Sequence, residues 1–236
     1  SISLTDTYLC DGGEDLFDGV EIQRIHCHNR SGHGTVTVEE ALMWSCNDAL
    51  MQIGEKIGIT NMLSYHRLFG FGSQTGIDLP GEASGAGLVF TEETMGEFEL
   101  ATSSFGQGFN MTMVQMVAAF SSIVNGGHYY QPHIVKEITS ETDEVVRSFD
   151  KVLVKNTLSE ETCDFLKESL YKTVNDDGIY TTGTAARVEG YSIGGKTGTA
   201  EKLPRGSGKY VVSFIGFAPV EDPQVVVYVV FDELKD

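Results

Sequence analysis

The sequence predicts an α+β fold, a helical region followed by an antiparallel sheet, on three observations. Apolar residues keep a helical rhythm through much of the first two thirds. The last third changes to three strand-like segments, 192–200, 210–218 and 224–231, joined by turns that include Pro223, so an antiparallel meander is the simplest connection. No internal repeat interrupts this division, which argues against a solenoid or an alternating α/β chain.

In chain order, residues 11–34 are glycine-rich and polar, with a short alternation over 20–25, and predict a small hairpin. Thr37 and Glu40 have capping-box spacing, and Ala41, Leu42, Leu50, Ile53 and Ile57 continue a helix whose rhythm breaks over 44–48. A shorter helix is expected over 60–68, ended by Gly70 and Gly72. Residues 73–91 are turn-rich around Pro80 and Gly81. Thr112 is the expected N-cap of an apolar helix carrying Met113, Val114, Met116, Val117, Phe120 and Ile123, stopped by Asn125, Gly126 and Gly127. Segments 133–138 and 145–149 read as paired strands around an acidic turn, and 159–174 as an amphipathic helix.

The 236 residues suffice for one large domain or two small ones, and 41% hydrophobic against 21% charged residues is the balance of a globular chain, not a disordered one. The longest apolar run, 225–231, is far below the ~18 residues of a membrane helix, and the first residues do not read as a signal peptide. A net charge of −18 repels phosphate backbones and anionic lipid, so nucleic acid is not an expected partner. Four cysteines are too few for a disulfide scaffold. Cys10 and Cys27 flank the hairpin, as a single disulfide or as two free thiols.

The sharpest local signal is Gly194-Gly195-Lys196-Thr197-Gly198-Thr199, a strand whose glycines cost stability and so suggest close approach of a substrate backbone. Gly190 also completes a formal P-loop pattern ending at Lys196 and Thr197. A P-loop must turn into a helix, however, and the residues after Thr197 run through Gly198 to Pro204 without a helix start. The second element is Ser45-Cys46-Asn47 at the helix break, where a hydroxyl and an amide can point into one cleft. Ser-x-Asn followed by Lys-Thr-Gly is an order found in serine enzymes that react with penicillin. His26, Cys27, His28 and Cys10 form a possible zinc grouping, but without paired Cys-x-x-Cys spacing, and no metal or cofactor is expected. Gly32-His33-Gly34 reads as a loop hydrogen bond, and Phe105-Gly106-Gln107-Gly108 either lines the cleft or packs a tight turn.

These segments, with Phe69-Gly70-Phe71-Gly72, Thr75-Gly76-Ile77-Asp78-Leu79-Pro80-Gly81-Glu82 and Asn125-Gly126-Gly127, resemble the transpeptidase domain of class B penicillin-binding proteins across nearly the whole chain, nearest the cell-division and stage V sporulation protein D-like group. The resemblance implies the serine β-lactamase-like fold and acyl transfer at D-Ala-D-Ala peptides in cell wall synthesis. It gives Ser45, Asn47 and Lys196 catalytic places: Ser45 relaying a proton to the leaving amine, Asn47 holding the substrate amide and the lysine beside the nucleophile, and Lys196 supplying positive charge. Thr197, Gly198 and Thr199 would bind substrate, the hydroxyls at its carboxylate and the Thr199 N–H as an oxyanion donor.

The family's nucleophile sits in a Ser-x-x-Lys motif preceding Ser-x-Asn. Here the two such strings, Ser148 to Lys151 and Ser169 to Lys172, both follow it and are read as decoys. The expectation is therefore a partial domain over 1–236, without the N-terminal strands, nucleophile helix and C-terminal helix, inactive by itself. The parent would be anchored by an N-terminal helix at the outer face of the cell membrane. Implied partners are stem peptides, β-lactams, a glycosyltransferase and divisome proteins, with self-association through an open edge at 224–231. A competing class is a non-catalytic penicillin-recognising or scaffolding module. A carboxypeptidase or serine β-lactamase fits less well the segments around Gly81 and Gly108.

Overall fold

The computed structural model describes residues 2–17, 19–178, 180–204 and 206–233. The elements run β1 (Thr7–Cys10), β2 (Gly13–Phe17), β3 (Ile22–His26), β4 (Gly34–Thr37), α1 (Val38–Met43), α2 (Asn47–Ile57), α3 (Ile59–Leu68), α4 (Glu97–Ser104), α5 (Met113–Val124), β5 (His128–Tyr130), β6 (Glu137–Thr139), β7 (Val145–Ser148), β8 (Leu153–Asn156), α6 (Glu160–Asn175), β9 (Gly194–Glu201), β10 (Tyr210–Ala218) and β11 (Val225–Asp232). Among them the expected meander forms a sheet in the order β11-β10-β9, antiparallel throughout, with Phe214 opposite Thr197 and Val229.

The helix starts follow their sequence signals. At α1 the Glu40 N–H donates to Thr37 Oγ1 while the Thr37 N–H donates to Glu40 Oε2, so the box satisfies two donors that a helix end would leave orphaned. Thr112 and Gln115 repeat this at α5, and Ser159 caps α6. The expected break falls between α1 and α2, and the hairpin is β2–β3. Strand 133–138 is a correction: only residues from Glu137 onward pair with β7. The ladders β1–β4 and β5–β8, and helix α4, were not foreseen.

Two cores position the site. Phe120 and Val124 of α5, Leu170 of α6 and Ile215 and Phe217 of β10 pack the helices against one face of the sheet. Tyr8, Cys10, Cys27, Val36, Ala41, Cys46 and Ala49 join the β1–β4 ladder and the hairpin to α1 and α2. The two halves are tied where Lys172 Nζ of α6 meets Glu39 Oε1 of α1 at 2.9 Å and the Thr182 hydroxyl donates to the Met43 carbonyl at 3.2 Å. Strand β11 is an edge of its sheet among the described residues, with Val225, Val227, Val229 and Phe231 exposed. No helix of the described residues is long and apolar enough to cross a membrane.

Candidate active site

The α1–α2 turn closes as a Schellman motif. The Cys46 N–H donates to the Ala41 carbonyl at 2.9 Å and the Ser45 N–H to the Leu42 carbonyl at 3.2 Å. The position between them adopts the left-handed conformation that glycine usually fills, yet Ser45 stands there with φ 53°. A side chain held against backbone preference marks a position where the hydroxyl matters more than stability. Both Ser45→Gly and Ser45→Ala delete that hydroxyl, but only glycine relieves the backbone. Denaturant unfolding should therefore find the glycine variant more stable than the alanine variant by about 1 kcal/mol.

Ser45 and Lys196 lie 151 positions apart in sequence, and the Lys196 ammonium donates to Ser45 Oγ at 2.8 Å and to the Thr197 carbonyl at 3.1 Å. Burial pushes the amine down from 10.5 to about 8. At neutral pH it is still mainly charged, and since the lysine donates, the Ser45 O–H is free to donate elsewhere. The charge is lost as pH rises through 8, so the cation beside Ser45 is present only below that point. Folding stability should rise between about 8 and 10.5, where the unfolded chain holds a proton that the folded one has released.

Thr199, exposed on β9, accepts a hydrogen bond at its carbonyl from Gln107 Nε2 at 3.0 Å. In an antiparallel strand the N–H and C=O of one residue point to the same side, so the Thr199 N–H also faces the free edge of β9. The period of two places Thr197 on that edge as well, consistent with its carbonyl receiving Lys196.

The glycines of β9 are closely fitted by neighbouring elements. A Cβ on Gly194 would stand 2.5 Å from the Phe217 ring and 3.2 Å from the Tyr171 backbone N, and one on Gly195 would stand 2.7 Å from the Ile215 carbonyl. One on Gly198 would lie 2.6 Å from Ser213 Oγ. These glycines leave room for β10 and α6. Asn47, the first residue of α2, donates through Nδ2 to the His26 carbonyl at 3.3 Å, so its amide also fastens the hairpin to the site. The buried Asp48 reinforces this by accepting the N–H groups of Asp11, Gly12 and Gly13 at 3.0–3.1 Å.

Neither Ser-x-x-Lys string meets this cleft. Ser169 is buried within α6 and donates to the Phe165 carbonyl at 2.9 Å, while Lys172 is engaged by Glu39 and Glu168. Ser148 ends the exposed strand β7, and the Lys151 ammonium lies over the Tyr130 ring. Within the family-like loop 75–82, Glu82 accepts the Thr75 and Gly76 N–H groups and Asp78 those of Ile134 and Val135, so both carboxylates lock loops.

Cys46, between the two motif residues, belongs to a cluster that the sequence grouping did not find. Cys10, Cys27, His33 and Cys46 bring one donor atom each within 4.8 Å of one another. His33 Nδ1 lies 3.4 Å from Cys10 Sγ and 3.7 Å from Cys27 Sγ, and Cys27 Sγ lies 3.9 Å from Cys46 Sγ. A tetrahedron with zinc–sulfur bonds of 2.3 Å has sulfur–sulfur edges of about 3.8 Å, so the donor set fits Zn²⁺ as Cys₃His. His26 and His28 are not members, and all four cysteines of the chain are free and buried. The contact with Cys46 lowers the Cys27 thiol below its ordinary value, and the same contact pushes Cys46 up. Burial lowers His33, keeping its imidazole neutral, the form that binds metals. His33 also packs on Tyr180 and Trp44, with ring centroids at 4.8 and 5.8 Å, beside Ser45. The signal present in the sequence was the cysteine inside Ser-x-Asn.

Comparison with known proteins matches residues 6–236 to the penicillin binding protein transpeptidase domain family. The chain is 42% identical to stage V sporulation protein D of Bacillus subtilis over 99% of its own length and 35% of that protein. It is 29% identical to the probable peptidoglycan D,D-transpeptidase PenA of Neisseria gonorrhoeae, covering 84% of this chain and 32% of that one. The crystal structure of penicillin binding protein 3 from Mycobacterium tuberculosis superposes with a TM-score of 0.82 at 28% identity, over 98% of this chain and 52% of that one, and is also known complexed with aztreonam and ampicillin. The chain spans about a third of the length of these curated relatives.

Proposed function

Because the chain belongs to the penicillin binding protein transpeptidase domain family, we propose that the protein carrying it is a serine-type peptidoglycan D,D-transpeptidase, cross-linking stem peptides through an acyl-enzyme and captured covalently by β-lactams. The observation that carries this reading is the 2.8 Å contact between Lys196 and Ser45 beside a free strand edge. In the proposed reaction a serine outside this chain attacks the carbonyl of the penultimate D-alanine, and the Thr199 N–H supports the developing oxyanion. The attacking serine's proton passes to the lysine of its own Ser-x-x-Lys motif and from there to Ser45, whose hydroxyl, accepting a hydrogen bond from Lys196, hands its own proton to the leaving D-alanine amine and is restored by the incoming one. Lys196 charge and the Thr197 and Thr199 hydroxyls hold the substrate carboxylate, and Asn47 holds the substrate amide. Gly198, closely fitted to Ser213, leaves the strand without a side chain between the two threonines so that the substrate can approach its backbone.

We take the site of action to be outside the cytoplasm, where stem peptides are. A membrane anchor, a glycosyltransferase, divisome partners and pairing through β11 extend the reading by resemblance. The test is mass analysis of the full-length protein with a stem peptide ending in D-Ala-D-Ala and an acceptor amine. Release of one D-alanine per cross-link supports the proposal, and neither release nor β-lactam capture would favour a non-catalytic recognition module.

The donor set also supports a structural zinc held by Cys10, Cys27, His33 and Cys46. When bound, the ion supplies cross-linking of β1, the hairpin and the α1–α2 turn. All four ligands come from protein, leaving no open position for substrate.

A further inference from the structure

We propose that Gln107 is a substrate-selective gate: in the resting protein its side-chain amide occupies the Thr199 carbonyl that an acyl donor's own N–H must take, and it has to let go before such a donor binds productively. This rests on the transpeptidase reading above.

The free edge of β9 offers alternate N–H and C=O groups at Thr197 and Thr199, the arrangement by which an exposed strand takes up an extended peptide. A donor lying along that edge, with its carbonyl at the Thr199 N–H, brings a neighbouring amide N–H towards the Thr199 carbonyl. That carbonyl already accepts one hydrogen bond, at 3.0 Å, from a residue 92 positions earlier in sequence, whose side chain competes with an incoming N–H for the same oxygen.

The local structure lets the side chain leave without unfolding its loop. Gln107 follows α4 and stands between Gly106 and Gly108, both left-handed at φ 86°. The backbone is anchored by itself, the Gln107 N–H donating to the Thr102 carbonyl at 2.9 Å and the Gly106 N–H to the Ser103 carbonyl at 3.0 Å. A Cβ on Gly108 would press on Phe90 and Thr102 at 3.3 Å, so the loop is seated on that side, while nothing lies within 4 Å of the Cβ position of Gly106. The Gln107 to Thr199 bond is neutral and reached by solvent, so it shifts the equilibrium by about tenfold at most, enough to discriminate but not to block.

Discrimination follows from chemistry. A penicillin with an acylamino side chain brings the amide N–H that competes with Gln107. A carbapenem bearing a hydroxyethyl group there brings no amide and gains nothing from the vacated carbonyl. The experiment compares second-order acylation rates of the full-length protein by benzylpenicillin and by such a carbapenem, in wild type, Gln107→Ala and Gln107→Met, the last keeping side-chain length without a donor. The expected result is benzylpenicillin faster by about three- to tenfold in both variants with the carbapenem within about twofold of wild type. Loss of both rates together would make Gln107 merely structural, and a selective loss for benzylpenicillin would make it a substrate contact; either overturns the gate. A wild-type protein acylated by neither compound would overturn the underlying transpeptidase reading, an outcome distinct from wild-type acylation with an unaltered ratio, which would overturn the gate alone.

Discussion

Replacing Lys196 by alanine in the full-length protein should cut its rate of acylation by fluorescent penicillin at least about a hundredfold, the usual scale for removing a positioned proton-transfer or charge-stabilising group. Lys196 is the group that meets Ser45 Oγ in the cleft, and deleting it removes both the hydrogen bond that orients the hydroxyl and the cation beside the strand edge. Stability should move the other way or not at all. The folded state holds this amine where burial disfavours its charge, so its removal relieves desolvation as well as deleting two hydrogen bonds. A hundredfold loss with an unaltered Tm separates a chemical role from a structural one. A Tm lowered in proportion to the lost rate would count against the assignment.

The second large effect concerns the cysteine cluster. Protein purified without chelators should carry one zinc per chain, and Cys46→Ser should lose it and lower Tm by roughly 10 °C or more, since structural zinc is part of the folding free energy. Cys46 has no exposed surface and contacts Cys27 inside the core that joins β1, the hairpin and both helices. The same substitution should slow penicillin labelling, because Ser45 and Asn47 flank Cys46 and take their positions from that turn. Elemental analysis of the wild-type protein with no zinc, together with a Tm insensitive to chelator, would refute the metal reading.

How far the sequence revealed this architecture depended on how local each signal was. Thr37 and Thr112 carry their helix signals locally, and both start the helices they promise. The meander was readable because β10 and β11 are segments of nine and eight residues rich in valine and aromatic side chains, joined through Pro223, and follow the glycine-rich β9. The β1–β4 and β5–β8 ladders were not, since strands of three or four residues joined across intervening segments leave no periodicity to count. Helix α4 hid behind a weakly amphipathic octet in which Leu100 and Ala101 are buried among polar neighbours. In the site, motif order pointed to Ser45 and Lys196, but the left-handed turn that presents Ser45 carries a serine where glycine would have announced it. The close fit around the β9 glycines was hidden for a related reason: what fills the space beside them is Phe217, Phe214 and Ser213, which belong to a different strand. The candidate metal donors come from β1, the loop 27–33 and the α1–α2 turn, and only the fold converges them.

The most direct test of the central claim is covalent labelling by fluorescent penicillin followed by peptide mass mapping, on the full-length protein and on its Ser45→Ala and Lys196→Ala variants. The account predicts one labelled serine, outside residues 1–236, in a Ser-x-x-Lys sequence, with labelling sharply reduced in both variants. A label at Ser148 or Ser169, or undiminished labelling in the variants, would contradict it.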